Sequence, residues 1–117
     1  MALDKTKRKR LTSTIERIES FEEKTGVKFE NLTATTECDI FVIHGDLITD
    51  NPNNYFEIEI HAVIYDEDND ILATGLENLL MDDFLGFETF KIEFFDETLN
   101  LDEIHKIRIY PKGIQSI

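Results

Sequence analysis

Cysteine is almost missing from this chain. Cys38 is the single one, so no internal disulfide can staple the fold, and stability has to come from a packed core. A chain that does without disulfides is expected in a reducing compartment, here the cytoplasm. Trp is absent, Pro occurs twice and Gly five times. So few glycines leave little room for a phosphate-cradling loop, and neither a GxSxG nor a CxxC motif occurs. No apolar run approaches the length of a membrane span. The N-terminal charges are not followed by an apolar stretch, so neither signal peptide nor anchor is expected. The sequon Asn31-Leu32-Thr33 then carries no consequence, because a cytoplasmic chain never meets the glycosylation machinery.

Positive charge is scarce too. Twelve Lys and Arg stand against 25 Asp and Glu, a formal charge of −13. Residues 1–28 hold eight cations against five acids, a balance of +3, whereas the remainder holds four against twenty, a balance of −16. An acidic body of this kind repels phosphate backbones, which excludes it as a nucleic-acid binder. It suits a cation or a basic protein partner, and at its plainest it serves solubility. Carboxylate pairs abound in so acidic a chain, so no single pair singles out acid–base catalysis. No enzyme activity, cofactor or membrane partner is expected.

What is present is a globular balance in 117 residues: 41% hydrophobic, 32% charged, nine Phe and three Tyr. That is enough for one core and too little for two. Leu11, Ile15, Ile18 and Phe21 recur at helical spacing, and Gly26 follows as a stop, predicting an amphipathic helix over 11–25. Either Asp4 or Ser13 can cap its start. The basic run 5–10 sits where a helix dipole disfavours positive charge and is expected to fray or to dock on the chain itself.

From Val27 the period changes to two. Val27–Phe29 and Leu32–Glu37 read as strand, and Ile40-Phe41-Val42-Ile43 as a central strand covered on both faces. Gly45 marks a bulge or a close backbone approach, and Asp50-Asn51-Pro52-Asn53-Asn54 a turn. The clearest alternation spans Tyr55–Tyr65, with Phe56, Ile58, Ile60, Ala62 and Ile64 on one face. Ile71–Thr74 pairs back on it across the acidic turn Asp66–Asp70. Gly75–Leu85 reads as a helical turn or covering loop. Phe87–Phe95 and Ile104–Tyr110 are the last strands, with Pro111 stopping the pairing. The fold class is therefore mainly β: an antiparallel β-sandwich of six or seven strands with one N-terminal amphipathic helix, in a single domain over 1–117.

Ala62-Val63-Ile64-Tyr65-Asp66, the acidic turn and Ile71-Leu72-Ala73-Thr74-Gly75 together resemble small bacterial immunoglobulin-like domains of the FxLYD type. Phe87-Glu88-Thr89-Phe90-Lys91-Ile92 is similar to that family's later Phe-containing strand. The resemblance covers about residues 32–112, with Ala62 in place of the Phe, Ile64 in place of the Leu, and no turn Gly. It implies an immunoglobulin-like sandwich with an adhesion or interaction role, and no catalytic residues to carry over.

One candidate metal site stands out. Asp66, Asp68 and Asp70 match the first, third and fifth positions of a calcium loop, and Glu77 the twelfth. Ile71 occupies the position where such a loop needs Gly, and the flanks read as strands, so an EF-hand is not expected. A weak calcium site at the tip of a sandwich is the sharper reading, and a solvated hairpin turn the plainer one. His44, His61 and His105 lack zinc spacing, and Cys38 is expected to be buried. The readings that follow are an interaction module for another protein, an acidic immunity or decoy protein that neutralises a basic partner, and a weak calcium-binding sandwich.

Overall fold

The computed structural model describes residues 3–50, 55, 57–80 and 84–114. Helix α1 (Lys5–Ser13) is followed by strand β1 (Ile15–Arg17), helix α2 (Glu19–Thr25), β2 (Lys28–Glu37), β3 (Ile40–Ile48) and β4 (Glu57–Tyr65). Then come β5 (Ile71–Leu80), β6 (Phe87–Phe94), a 3-10 turn at Leu101–Glu103 and β7 (Lys106–Ile114). One sheet has the order β1-β7-β4-β5 and the other the order β2-β3-β6. Every pairing is antiparallel except that of β1 with β7. The fold is thus mainly β and two-layered, with seven strands.

Strict alternation decides which faces meet. On β4, Ile58, Ile60, Ala62 and Ile64 are buried while the residues between them are half-buried. They join Ile107 and Ile109 of β7, and from the other sheet Phe29, Phe41, Ile43, Leu47, Phe90, Ile92 and Phe94, in one core cluster. Phe56, expected on the same face as Ile58, lies outside the described residues, as does most of the expected turn over 50–54. Central strand β3 is fully buried on its core face, while on its outer face the expected cover is complete only at Val42, with Ile40, His44, Asp46 and Ile48 half-buried. Val42 faces away from the core yet is fully buried, flanked in register by Thr35 and Glu93.

The expected single helix over 11–25 is instead α1, β1 and α2. Ser13 and Thr14 turn their hydroxyls back to the carbonyls of Arg10 and Leu11, both at 2.6 Å, which ends α1. Ile107 N–H then donates to Thr14 O and Ile18 N–H to Ile109 O, so the middle of the segment becomes a parallel edge strand. Ile15 and Ile18 are β-branched and lose rotamer freedom in a helix, so a free sheet edge outcompetes the helical spacing. Gly26 ends α2 in the left-handed region, as expected.

The basic run is a docked helix, not a frayed arm. Asp4 caps α1 by accepting from Lys7 N–H at 2.8 Å, and its negative charge offsets the cations near the helix start. Leu11 is buried, Thr12 Oγ1 accepts from Ala34 N–H on β2, and Arg10 donates to Leu101 O and Ile104 O.

The extents of β5 and β7 differ from expectation, whereas β2 runs on from Lys28 to Glu37 as expected, with an irregularity between Glu30 and Thr33, where Asn31 has φ of 55°. Gly45 marks close approach rather than a bulge, because a Cβ there would meet Leu32 and Phe90 within 3 Å. β5 runs on to Leu80, pairing with β4 as far as Glu57, so Gly75–Leu80 is strand and neither helix nor loop. β7 passes through Pro111 to Ile114. The Ile107 N–H points at β1, so the position of Pro111, four residues on, turns the same way. β1 has ended by then, so no ladder bond is lost.

Glu22 ties these parts together. Its carboxylate, nearly fully buried, accepts from Arg17 Nε and Nη2 at 3.1 and 2.8 Å and from Phe29 N–H at 2.8 Å. Glu22→Ala is expected to destabilise the protein by about 2–3 kcal/mol in urea unfolding, since the buried Phe29 amide loses its acceptor. Glu22→Gln, which keeps an acceptor there, is expected to cost less.

Candidate interaction surface

The predicted calcium residues do not meet. Asp66 spends its carboxylate on its own turn, accepting from the N–H groups of Asp68 and Asp70, both at 2.9 Å. Asn69 takes a positive φ of 65°, and its side-chain oxygen accepts from Lys106 Nζ. Glu77 stands on β5 opposite Ile60, six residues beyond Ile71, which is about 20 Å along a strand. Among the described residues no group of three or more His, Cys, Asp or Glu is arranged to hold a metal ion. The turn is a hairpin tip whose carboxylate is engaged by backbone.

The histidines are dispersed as well. His44 lies on the outer face of the β2-β3-β6 sheet, 2.5 Å from Glu37, which also accepts from Lys91 Nζ at 3.2 Å. His61 lies on the outer face of the other sheet, bonded to Glu59 at 3.0 Å and stacked on Tyr110 at 5.0 Å and 4°. Phe21 extends that stack from α2. His105 donates its backbone N–H to Tyr65 O. Cys38 is exposed rather than buried, because it forms the β2–β3 turn with Asp39, at φ of 51° and 64°. Two residues with positive φ match the twist of a tight hairpin and point their side chains outward.

The two flanks of the sandwich are unlike. On one, β1 and β2 are the last strands of their sheets, and the N-terminal segment closes the gap through α1 on β2 and through Glu22. On the other, β5 and β6 are the last strands. They approach closely at Gly75, where a Cβ would meet Ile92 and Phe94 side chains at 2.5–2.9 Å. Among the described residues no further strand pairs with either of them.

This open flank gathers the exposed apolar side chains. Seven large hydrophobic residues are exposed among those described, and six belong to β5, β6 or their flanks: Ile71, Leu76, Leu80, Leu85, Phe87 and Phe95. Leu85 reaches 89% exposure and Phe95 71%, values far outside those of a packed surface residue. The surrounding stretch of sequence is acidic. Residues 66–103 carry thirteen Asp or Glu and one cation, Lys91. The sequence did not reveal this surface because Gly75–Leu80 was read as helix or loop. Burial alternates along this stretch, but the sequence does not: the outward set Thr74, Leu76, Asn78 and Leu80 and the inward set Ala73, Gly75, Glu77 and Leu79 are both mixed in polarity.

A groove of about 590 Å³ lies on the opposite side, between α1 and β2, with Lys5, Arg8, Lys9 and His44 on its walls. It is the counterweight to the acidic flank, and no carboxylate lines it.

No protein-family model matches this chain, and no curated protein or solved structure matches it either. No helix among the described residues is long and apolar enough to cross a membrane.

The His44 and Lys91 contacts hold the Glu37 carboxyl below its ordinary value of 4.5, the His44 hydrogen bond being the larger cause. A depressed carboxylate contributes stability that is present above 4.5 and lost as pH falls through the lower folded value. Glu37→Gln is therefore expected to be less stable than the parent above pH 4.5 and to lose that deficit as pH falls, flattening the acid limb of the stability–pH curve, as read by thermal unfolding across a pH series.

Proposed function

We propose that this protein is a non-enzymatic interaction module that binds another protein through the β5–β6 flank. The observation that carries this reading is the gathering of six exposed large apolar residues on that flank. Large apolar side chains left exposed along uncovered edge strands are a common feature of binding faces; Leu76 and Leu80 share one face of β5, and Phe87 lies on the outer face of β6. Among the described residues no side-chain constellation calls for catalysis. His44 and His61 lie on separate faces, and in the acidic turn Asp66 Oδ1 is taken up by two backbone amides.

The immunoglobulin-like reading is supported by the strand order. If β2 to β7 are taken as strands A, B, C, C′, E and F of such a domain, the sheets become A-B-E and F-C-C′. β1 then occupies the place beside F where the last strand would lie, and it runs parallel instead of antiparallel. The FxLYD-type resemblance falls on the C and C′ strands in this scheme, β4 and β5. A cytoplasmic setting is in keeping with the single exposed cysteine.

A second reading has its own support. The imbalance of thirteen acids to one cation over 66–103 suits a decoy or immunity role that covers a basic partner. Salt separates the two. Cross-linked capture from cells, followed by purification of the complex, is expected to return a stoichiometric protein partner. Binding that survives a rise from about 0.05 to 0.5 M salt favours the apolar interaction module, and steep loss favours the decoy. A saturable turnover of a small substrate, or no stoichiometric partner in repeated captures, overturns the module reading.

A further inference from the structure

We propose that β5 accepts, as an added strand, an extended segment of a partner protein in which apolar residues alternate with Lys or Arg. This rests on the interaction reading and names both the place and the chemistry of the partner. Four observations lead to it.

β5 is ten residues long, pairs only with β4, and ends its sheet. Exposed edges of this length are usually blunted by Lys, Pro or an inward-pointing charge. The sequence Ile71-Leu72-Ala73-Thr74-Gly75-Leu76-Glu77-Asn78-Leu79-Leu80 has no Lys and no Pro. Its single charge is Glu77, the one inward-pointing charge that guards this edge; its carboxylate accepts from Asn78 N–H at 2.9 Å, and a Lys or Arg on an added strand neutralises it.

The side chains of β5 set the pattern of what can lie beside it. Thr74, Leu76, Asn78 and Leu80 face outward and exposed, whereas Ala73, Gly75, Glu77 and Leu79 face inward and half-buried. A strand added to that edge presents alternate side chains to each set. Its outward residues meet Leu76 and Leu80, which apolar side chains suit. Its inward residue opposite Glu77 meets a carboxylate, which Lys or Arg suits.

Charge also argues against the simplest alternative occupant, a second copy of this chain. Pairing β5 with itself brings together two copies of a stretch, residues 66–103, whose sequence holds thirteen acids and one cation. Like charges facing across an interface disfavour it, whereas a basic segment is steered in.

The test uses the ¹⁵N-labelled full-length protein and a synthetic peptide of alternating Val and Lys, about as long as β5. A Val/Glu peptide and a Gly/Lys peptide of equal length serve as controls. Saturable amide shifts and slowed hydrogen exchange are expected for the Val/Lys peptide, centred on β5 and its neighbours. The controls are expected to bind at least about tenfold more weakly, roughly 1.4 kcal/mol. Leu76→Lys with Leu80→Lys is expected to lower affinity by a similar factor. Glu77→Gln, close in shape and folded by the same amide spectrum, is expected to erase most of the preference for Lys over Glu.

Three results overturn the proposal: no binding of the Val/Lys peptide, equal binding of the Val/Glu peptide, or shifts centred on the α1–β2 groove. Concentration-dependent dimerisation that protects β5 amides also overturns it, in favour of a second copy. If a captured cellular partner binds the Leu76→Lys, Leu80→Lys variant undiminished, this site fails while the interaction reading stands.

Discussion

A single buried carboxylate holds the two layers of this sandwich in relation at one flank. Glu22 sits on α2, yet it binds Arg17 of β1, which belongs to one sheet, and the backbone of Phe29, in the other. The Arg17 guanidinium is a third exposed and the Glu22 side chain 6% exposed, so the pair stands where water is mostly excluded on the acid's side. A carboxylate in that position is tolerable because three donors converge on it. The consequence is architectural: the N-terminal segment is fixed across the β1–β2 side.

Closing one flank defines the other. With the N-terminal helices committed to β1 and β2, no helix among the described residues packs along β5 and β6, and among those residues no further strand covers their edges. Gly75 lets β5 lean onto Ile92 and Phe94, which seals the core without hiding the strand's outer face. Apolar surface left open in this way is normally a liability for self-association. The acidic stretch over 66–103 opposes contact between copies, and in the proposed reading it is what a basic partner would meet.

Much of the fold was legible because β4 and β6 alternate strictly, and period two is an unambiguous signal when one face is core and the other is wet. The acidic turn was read as mainly a hairpin tip on the strength of Ile71, and the geometry gives a local reason, the Asp66 carboxylate taken up by two amides. The N-terminal stretch was misread because Leu11, Ile15, Ile18 and Phe21 fit a helix as spacing. Their side chains now serve a helix, a strand and a second helix in turn. Spacing carries no information about a sheet edge ninety residues away along the chain that offers hydrogen bonds to Ile15–Ile18. Pro111 misled for a related reason: a missing N–H matters only on the side where a neighbour strand is waiting.

By itself the sequence determined the class of this protein: mainly β, one core, no disulfide, and strong negative charge concentrated after residue 28. Composition and local periodicity suffice for that, because they act residue by residue. Only the tertiary structure decided which edges are covered and which stay open. Burial of an edge depends on where distant segments dock, here on Glu22 meeting Arg17 and Phe29 and on Thr12 meeting Ala34. The exposed row on β5 and β6, which carries the functional reading, exists because those contacts formed on the opposite flank.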